Sequence, residues 1–385
     1  MADKTIFVTF GTRPEAIKMA PVVLALKRRR SFRVVTCLTG QHREMLDQVV
    51  EAFSLPVDHD LRIMRERQTL GHITSAVLGG IDPLLEAEKP DLVMVHGDTT
   101  TTFAAALAAY YRMIPVAHVE AGLRTDNIYS PFPEEMNRRL ADRLAAIYYA
   151  PTSAARAALL REGARSDQIL VTGNTVIDAL LVTAAGETPV WEPKVARALA
   201  RPGPKVLVTV HRRESWGAPM ERVARAIRRV SEERPDVTFI FPIHLNPVVR
   251  ATFRAALDSV EQVVFTEPLP YRPFVHLMKA ADVVITDSGG IQEEAPTLGR
   301  PVLVMRDTTE RPEGVEAGTA KLVGTDDELI ASELLILLKD TAAYAAMANA
   351  VNPYGDARAS ERIADHLEHY FGFRAEPPAD FTGAS

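Results

Sequence analysis

Two short apolar segments separated by an alanine-rich stretch are the feature that most constrains the fold of this chain. Residues 91–95 and 115–119 are rich in β-branched residues and bounded by Pro or Gly, which is typical of buried strands. The stretch between them, 99–111, is rich in alanine, as expected of a crossover helix. This pattern predicts a right-handed crossover in a parallel sheet, with both strands ending at the same sheet edge.

The same alternation recurs along the chain and predicts two domains. A first series of predicted strands covers residues 6–10, 33–38, 91–95, 115–119, 147–150 and 169–172. After a Pro-, Trp- and Glu-containing stretch, 188–204, a second series covers residues 205–210, 237–241, 263–266, 282–286 and 301–305. With 385 residues, the chain exceeds the length at which one hydrophobic core stops growing. We therefore predict an α/β protein with two Rossmann-like, doubly wound parallel-sheet domains that face a cleft.

The domain boundaries are predicted at residues 1–175 and 176–356. Near the C-terminus, Ile363, Leu367 and Tyr370 are spaced as on one face of a helix, so residues 357–373 are predicted to be helical. The remaining segment, 374–385, is polar and contains proline, and its composition predicts a mobile tail.

Charge and cysteine content exclude several classes of protein. The 44 Lys and Arg residues against 50 Asp and Glu give a net charge of −6, which disfavours nucleic-acid or membrane-surface binding. The single cysteine, Cys37, rules out a disulfide framework and a thiolate zinc site. No apolar run approaches the length of a membrane span, and the N-terminus enters a strand pattern directly, so a cytoplasmic protein is predicted.

Carboxylates follow the predicted strands where ligands bind in open α/β sheets. Asp98 and Glu120 come just after the strands of the opening pattern and should emerge at one sheet edge. Glu134 follows Pro133 at a predicted helix start. Two alternatives stay open: Asp98 could cap the following helix, and Glu134 with Glu135 could serve only the helix dipole.

Two strand-to-helix turns are candidate phosphate sites. Asp287, Ser288, Gly289 and Gly290 follow an apolar strand and open a helix, where N–H groups and the dipole favour an anion. A second turn places Arg13 before Pro14, with Lys18 about one helical turn further on. Neither turn has the Gly-Lys-Ser/Thr ending of a P-loop, which disfavours ATP hydrolysis. The alternative for the glycine-rich turn is an ordinary turn without a ligand.

Eight motifs occur in one order from about Thr5 to about His369. They read GTRPEAIKMAP, TGQHREM, HGDTTTT, EAGLRT, PFPEEMNRR, HRRE, DSGGIQEE and RDTTERPE. Together they resemble the bacterial non-hydrolysing UDP-N-acetylglucosamine 2-epimerases. The resemblance implies the two-Rossmann architecture of many sugar-nucleotide glycosyltransferases, a C-terminal helix that crosses back onto the first domain, a UDP-binding second domain, and a homodimer.

The resemblance also implies an activity and a set of site residues. UDP-N-acetylglucosamine and UDP-N-acetylmannosamine would interconvert by elimination of UDP to a bound 2-acetamidoglucal and re-addition, with no cofactor and no metal. The implied catalytic residues are Asp98, Glu120, Glu134 and His211. The implied substrate-binding residues are Arg13, Lys18, Phe274, Ser288, Gly289, Gly290, Glu294 and Arg311. Phe274 would lie near the uracil, Glu294 near the ribose, and Arg311 against phosphate or sugar; Phe274 could equally be a core residue.

Some members of the family carry a second, regulatory site for the substrate. The matching positions here are Gln41, His42, Arg212, Glu214 and His244, and the alternative is that these residues simply line the cleft. Three other functions stay open at this point: a hydrolysing epimerase that releases N-acetylmannosamine and UDP, a glycosyltransferase of the same fold, and a non-catalytic sugar-nucleotide sensor. A sensor would have no need for Asp98, Glu120 and Glu134 together.

Overall fold

The computed structural model describes residues 3–40, 43–65, 68–125 and 127–383 and divides into two compact units. Unit 1 comprises Met1–Ala179 with Tyr354–Ser385, and unit 2 comprises Leu180–Pro353. From the sequence, we predicted the domain boundaries at residues 175 and 356. The stretch 188–204, which separates the two strand series in the sequence, lies inside unit 2, where Val195 and Ala198 are buried in a hydrophobic core.

Unit 1 contains a seven-stranded sheet whose described strand pairs are all parallel. Its strands are β1 (Lys4–Phe10), β2 (Phe32–Leu38), β3 (His59–Asp60), β4 (Leu92–His96), β5 (Val116–Val119), β6 (Ile147–Ala150) and β7 (Ile169–Val171). Their spatial order is β3-β2-β1-β4-β5-β6-β7. The order therefore reverses between β1 and β4.

Unit 2 contains a six-stranded sheet, again parallel throughout its described pairs. Its strands are β8 (Lys205–Thr209), β9 (Thr238–Pro242), β10 (Val263–Thr266), β11 (Val283–Thr286), β12 (Val302–Val304) and β13 (Ala320–Leu322). Their order, β10-β9-β8-β11-β12-β13, reverses between β8 and β11. The prediction of two doubly wound parallel sheets is confirmed.

Helices connect the strands in both units. In chain order they are α1 (Arg13–Lys27), α2 (Arg43–Ala52), α3 (Leu70–Glu88), α4 (Thr100–Tyr111), α5 (Glu134–Leu144), α6 (Ser153–Arg161), α7 (Thr175–Ala185), α8 (Pro193–Ala200), α9 (Ala218–Glu233), α10 (Pro247–Leu257), α11 (Tyr271–Ala280), α12 (Gly289–Thr297), α13 (Pro312–Glu316), α14 (Asp327–Lys339), α15 (Thr341–Ala348) and α16 (Ala359–Tyr370). The boundary between the units falls inside α7.

Strand β8 of the unit 2 sheet buries both of its faces. Val206 and Val208 of β8 pack into one hydrophobic cluster, while Leu207, between them, packs into another. Because side chains alternate across a strand, the two clusters lie on opposite sides of the sheet. Continuous apolar runs are expected for parallel strands that are covered by helices on both faces. This is why the strands were recognisable in the sequence as short apolar runs without alternation.

The C-terminal helix, α16, packs onto the N-terminal part of unit 1. Glu361 and Asp365 accept hydrogen bonds from Arg29 at 2.7 Å, and Ser31 donates to Glu368 at 2.9 Å. Beyond this helix, Phe381 is buried and its backbone N–H donates to Val171 O at 2.7 Å. These contacts favour an ordered tail over the mobile one that its composition predicts.

Candidate functional site

A pocket of about 520 Å³ opens in unit 1 where the strand order reverses. Ligands bind at such reversal points because the turns after the two diverging strands leave a crevice at their carboxyl ends. The pocket is lined by the turns after β1, β4 and β5 and by the start of α5. Its lining includes Arg13, Lys18, His96, Asp98, Glu120, Glu134 and Asn137.

The three carboxylates singled out in the sequence lie in this one pocket. Asp98 follows β4, Glu120 follows β5, and Glu134 begins α5. The helix-cap alternative for Asp98 is wrong, because the N-cap of α4 is Thr99, whose side chain accepts a hydrogen bond from Thr102 N at 3.1 Å. The structure thus brings together residues that are up to 36 positions apart, from Asp98 to Glu134.

Asp98 is held by the helix α5. Asn137 Nδ2 donates to the backbone carbonyl of Asp98 at 3.0 Å, and Arg138 donates to its carboxylate. Arg138 is buried, and the Asp98 side chain is 27% exposed. Arg138 thus restrains the Asp98 carboxylate, which lines the pocket, through one charge-assisted hydrogen bond.

Glu120 is bound on one oxygen by two donors and has an unusual backbone conformation. Lys18 Nζ and, at 2.9 Å, Asn174 Nδ2 donate to Glu120 Oε2. The φ angle of Glu120 is +65°. Residues other than Gly rarely adopt this left-handed backbone conformation, and those that do are often found at functional sites. The Glu120 side chain is 9% exposed, and the charged group in contact with it is the cation of Lys18. Lys18 is therefore already engaged by a carboxylate.

Arg13 and Glu134 differ from these paired groups. Within the described part of the chain, neither side chain makes a hydrogen bond or an ion pair, and both line the pocket. The neighbouring Glu135 is fully buried and binds Arg138 and Arg139 on its own helix. The two glutamates of this motif thus have separate places: Glu135 stabilises α5, and Glu134 faces the pocket.

Glu15 is a site residue that the sequence reasoning missed. Its buried carboxylate accepts hydrogen bonds from Gly11 N and Thr12 N at 3.0 and 2.7 Å, and from the Thr99 and Thr102 hydroxyls at 2.7 and 3.2 Å. Burial raises the pKa of Glu15, and these hydrogen bonds oppose the shift. Glu15 thereby joins the turns after β1 and β4. Thr12 and Glu15 form a capping box, the sequence signal that could have revealed it.

His96 is a second missed residue. It ends β4, is buried in the pocket wall, and places Nε2 at 3.8 Å from Glu120 Oε2. Neither ring nitrogen makes a hydrogen bond to the described residues. Burial lowers the pKa of His96 to about 4, although the neighbouring Glu120 raises it, so this imidazole is neutral at neutral pH.

A second cluster lies in unit 2, again where the strand order reverses. Asp287 follows β11, is fully buried, and accepts hydrogen bonds at 2.9 Å from the backbone N–H groups of His211 and Arg212 after β8. His211 Nδ1 lies 2.9 Å from Asp287 Oδ1. Burial alone would raise the pKa of Asp287, but His211 and the backbone donors lower it. Asp287 thus lies against His211, whose side chain is 42% exposed.

The glycine turn after Asp287 has one crowded and one open glycine. Ser288 is the N-cap of α12, and its hydroxyl makes no capping hydrogen bond. A Cβ on Gly289 would lie 3.1 Å from Glu310 Oε1, whereas a Cβ on the exposed Gly290 would meet no atom within 4 Å. A side chain at Gly289 would thus require the Glu310 carboxylate to shift by a few tenths of an ångström. No neighbouring atom of the described residues accounts for the absence of a side chain at Gly290.

The other predicted substrate residues of unit 2 have partners within that unit. Arg311 Nε donates to the buried Glu293. Glu294 is nearly buried beside Tyr271, whose pKa is raised well above its usual value by burial and by that carboxylate. Phe274 packs against the hydrophobic core and is partly exposed. It therefore contributes to the core, which was one of the two alternatives for this residue.

The predicted regulatory residues are only partly described. Arg212 Nη2 donates to Glu310 Oε1 at 2.7 Å, and the ring centroids of His244 and His211 are 6.0 Å apart. Gln41 and His42 lie outside the described residues, as does the side chain of Glu214. The structure brings Arg212 and His244 to the same turn region as His211.

Two searches of the described residues gave negative results. No group of three or more His, Cys, Asp or Glu side chains in these residues is arranged to hold a metal ion. Among the described helices, none combines the length and the apolar character needed to cross a membrane.

Comparison with known proteins gave concordant matches over almost the whole chain. A family model described as UDP-N-acetylglucosamine 2-epimerase matches residues 24–368. The UDP-N-acetylglucosamine 2-epimerase of Bacillus subtilis is 51% identical, covering 100% of both chains, and that of Escherichia coli K12 is 50% identical, covering 94% of this chain and 98% of the relative. A crystal structure of the Neisseria meningitidis UDP-GlcNAc 2-epimerase bound to UDP-GlcNAc superposes with a TM-score of 0.84 at 46% identity, covering 95% of this chain and 100% of that one.

Proposed function

This chain belongs to the UDP-N-acetylglucosamine 2-epimerase family, and we propose that it is a non-hydrolysing isomerase that interconverts UDP-N-acetylglucosamine and UDP-N-acetylmannosamine. The observation that carries the proposal is the unit 1 pocket, in which Asp98, Glu120 and Glu134 converge beside the cation of Arg13. A sugar-nucleotide sensor would need cations and backbone donors but no cluster of three carboxylates.

The chemistry of carbon 2 explains why several carboxylates are needed. The hydrogen on this carbon is not α to a carbonyl and is barely acidic, so direct removal is unfavourable. Elimination avoids the problem, because UDP leaves carbon 1 as the proton leaves carbon 2, giving a 2-acetamidoglucal. UDP then adds back, and a proton arrives on the opposite face of carbon 2. Proton transfer at two faces requires more than one acid/base group.

Asp98, Glu120 and Glu134 are proposed to carry these proton transfers. Their side chains come from three different elements of unit 1 and face one space, as two-face chemistry demands. Arg13 supplies positive charge for the diphosphate, since this acidic protein would otherwise repel it. Lys18 is proposed to contact the substrate while it remains bound to Glu120, so it serves both the carboxylate and the anionic ligand.

Unit 2 is proposed to bind the UDP moiety. The N-terminus of α12, with Ser288, Gly289 and Gly290, offers backbone N–H groups and a hydroxyl to the diphosphate. Glu294 is proposed to accept hydrogen bonds from the ribose, and Phe274 to lie near the uracil. Arg311 would act from its pair with Glu293, which fixes the direction of its guanidinium.

His211 is proposed to protonate or hydrogen-bond the departing phosphate oxygen. Its Nδ1 faces Asp287, so Nε2 is the nitrogen available to a ligand. A carboxylate behind a histidine fixes the tautomer and orientation of the ring, an arrangement that suits proton transfer to a leaving group. Regulation by a second substrate molecule at Arg212, Glu214, His244, Gln41 and His42 stays part of the proposal.

An isotope experiment tests the proposed reaction. Incubation of the purified protein with UDP-N-acetylglucosamine in deuterium oxide is expected to yield UDP-N-acetylmannosamine that carries deuterium at carbon 2, because the removed proton exchanges with solvent. Proton NMR follows both the product and the loss of the carbon 2 signal. Release of free N-acetylmannosamine and UDP would instead identify a hydrolysing enzyme, and product without deuterium would exclude elimination and re-addition.

Gly290→Ala provides a test of the nucleotide site that separates binding from folding. A methyl group at Gly290 meets no protein atom, and alanine favours the helix, so the melting temperature should stay the same or rise. UDP affinity by calorimetry should fall by about tenfold, because the methyl group would obstruct close approach of the diphosphate. Gly79→Ala is the matched control, since Gly79 lies exposed in α3 with equally open space around it. Equal UDP affinity in both variants would show that the nucleotide does not bind next to Gly290.

A homodimer and a cytoplasmic location complete the proposal. Tyr110, Tyr111 and Met113 are 60%, 63% and 92% exposed at the end of α4, an apolar surface suited to contact with a second copy. Light scattering tests the dimer, because it separates one 42.3 kDa chain from two. Cell fractionation tests the location.

A further inference from the structure

His118 is a fully buried histidine in unit 1 that lies next to the pocket without lining it. It belongs to β5, in register with Val95 of the neighbouring strand β4. Its Nδ1 lies 2.7 Å from Asp142 Oδ1, and its Nε2 lies 2.7 Å from the backbone carbonyl oxygen of Gly97. Gly97 is the residue immediately before Asp98, so His118 contacts the turn that carries a proposed catalytic carboxylate.

The partners of the two ring nitrogens show which nitrogen donates to the Gly97 carbonyl. A carbonyl oxygen can only accept, so Nε2 must carry a proton. Asp142 is bound on its other oxygen by Arg124 at 2.7 Å; burial alone would raise its pKa, but the charges and hydrogen bonds of His118 and Arg124 lower it. Nε2 is therefore the nitrogen that donates to the Gly97 carbonyl, and Nδ1 faces the Asp142 carboxylate.

The bond from His118 to Gly97 acts on a turn that the backbone alone does not fix. Gly97 has a φ of +69°, a conformation open to glycine, and glycine can also leave it at little steric cost. The Gly97 carbonyl is held by His118, and the next carbonyl, that of Asp98, is held by Asn137. The two successive peptide groups on either side of the Asp98 α-carbon are thus anchored by side chains from β5 and α5.

We propose that His118 is a positioning residue, whose Nε2–H bond to the Gly97 carbonyl fixes the turn after β4 and thereby aims Asp98 into the pocket. The buried network behind it supports this role. Asp142 fixes the ring through Nδ1, Arg124 binds Asp142, and Glu162 accepts two hydrogen bonds from Arg124 at 2.8 Å. This chain of contacts joins Gly97 to α6 and leaves the ring no alternative orientation. The inference rests on the proposed function, because it assigns Asp98 an acid/base role.

Two conservative variants separate the two hydrogen bonds of His118. In His118→Gln the amide nitrogen lies near the former Nε2 and can donate to Gly97, while Asp142 keeps Arg124 as its counterion. In His118→Asn the amide lies near the former Nδ1 and can donate to Asp142, while the Gly97 carbonyl loses its donor. If the turn is what matters, the Gln variant should keep most of the wild-type kcat. The Asn variant should lose about tenfold to a hundredfold in kcat, as small displacements of catalytic groups do.

The measurements are kcat and KM for epimerisation, UDP affinity and the melting temperature of both variants. A loss in kcat for His118→Asn with unchanged UDP affinity, and recovery in His118→Gln at a similar melting temperature, is the expected result. Equal losses in the two variants, or losses that follow the melting temperatures, would reduce His118 to a core residue and overturn the proposal.

A spectroscopic measurement on the wild-type protein covers the case in which the variants do not fold. With ¹⁵N-labelled histidine, Nε2 of His118 should show the shift of a protonated nitrogen, assigned by its loss in whichever variant folds or by contact with the Asp142 side chain. An unprotonated Nε2 would contradict the inference. Inactive wild-type protein would refute the proposed function instead, and the Nε2 shift would still test the hydrogen bond to Gly97.

Discussion

Asp98→Asn, Glu120→Gln and Glu134→Gln should each lower the turnover of UDP-N-acetylglucosamine by about two orders of magnitude or more. The substitutions are nearly isosteric and remove only the ability to take up and release a proton. Steady-state kinetics of each purified variant, with UDP affinity measured by calorimetry, is the test. UDP binding should survive in at least one of them, because the pyrophosphate is proposed to be held by cations and backbone N–H groups.

Glu134→Gln is the most informative of the three variants. Within the described chain the Glu134 side chain makes no hydrogen bond or ion pair. Replacing its carboxylate by the amide of Gln should therefore leave the stability of the protein unchanged. The other two substitutions each leave a cation without its full partner, Arg138 or Lys18, and so combine a catalytic with a structural loss. A fall in turnover without a fall in melting temperature can then be assigned to chemistry.

Asp82→Asn is a matched control for Asp98→Asn. Asp82 also binds an arginine, with Arg112 Nε at 2.6 Å from its Oδ1, but it lies on α3 outside the pocket. Its substitution should leave turnover near the wild-type value. If all three pocket carboxylates could be replaced with near-native turnover, their role would be structural. The result would then favour the function of a sugar-nucleotide sensor.

The fold could be predicted closely from the sequence because parallel strands buried on both faces are apolar throughout. The predicted strands at residues 147–150 and 263–266 match β6 and β10 in both bounds. Two short edge strands, β3 and β13, were missed. β13 has an exposed Lys321 at its centre, and β3 has only two residues, so neither forms an apolar run.

Site residues that directly follow a strand could be predicted from the sequence. Residues that contribute by contacting another site residue could not. Asp98 and Glu120 were found because the carboxyl ends of neighbouring parallel strands must meet. Glu15 and His118 act through contacts with residues at other strand ends, and such pairings depend on the sheet register. The pairing of Lys18 with Glu120, 102 residues apart, also required the three-dimensional structure.

The stability of the protein should fall as the pH drops from about 6.5 to about 4, and His96 should account for a measurable part of that fall. Its pKa is lowered from 6.5 to about 4 in the folded state, chiefly by burial. Above pH 6.5 the ring is neutral in both states and stability is fully present. Between the two pKa values His96 binds a proton in the unfolded chain but not in the folded protein, so stability is lost as the pH falls. The full loss from this one group is about 3 kcal/mol.

Urea unfolding of wild type and His96→Gln at pH values of about 7, 6 and 5 measures this contribution, because the variant lacks the titrating group. The wild type should lose more stability than the variant over this interval, by about 1 to 2 kcal/mol. His366→Gln is a useful comparison, since burial lowers the pKa of His366 to about 4 as well and its removal should flatten the curve similarly. Parallel curves for wild type and His96→Gln would show that His96 is protonated or solvated in the folded state. In that case the ring could not be the neutral group beside Glu120 that the pocket geometry indicates.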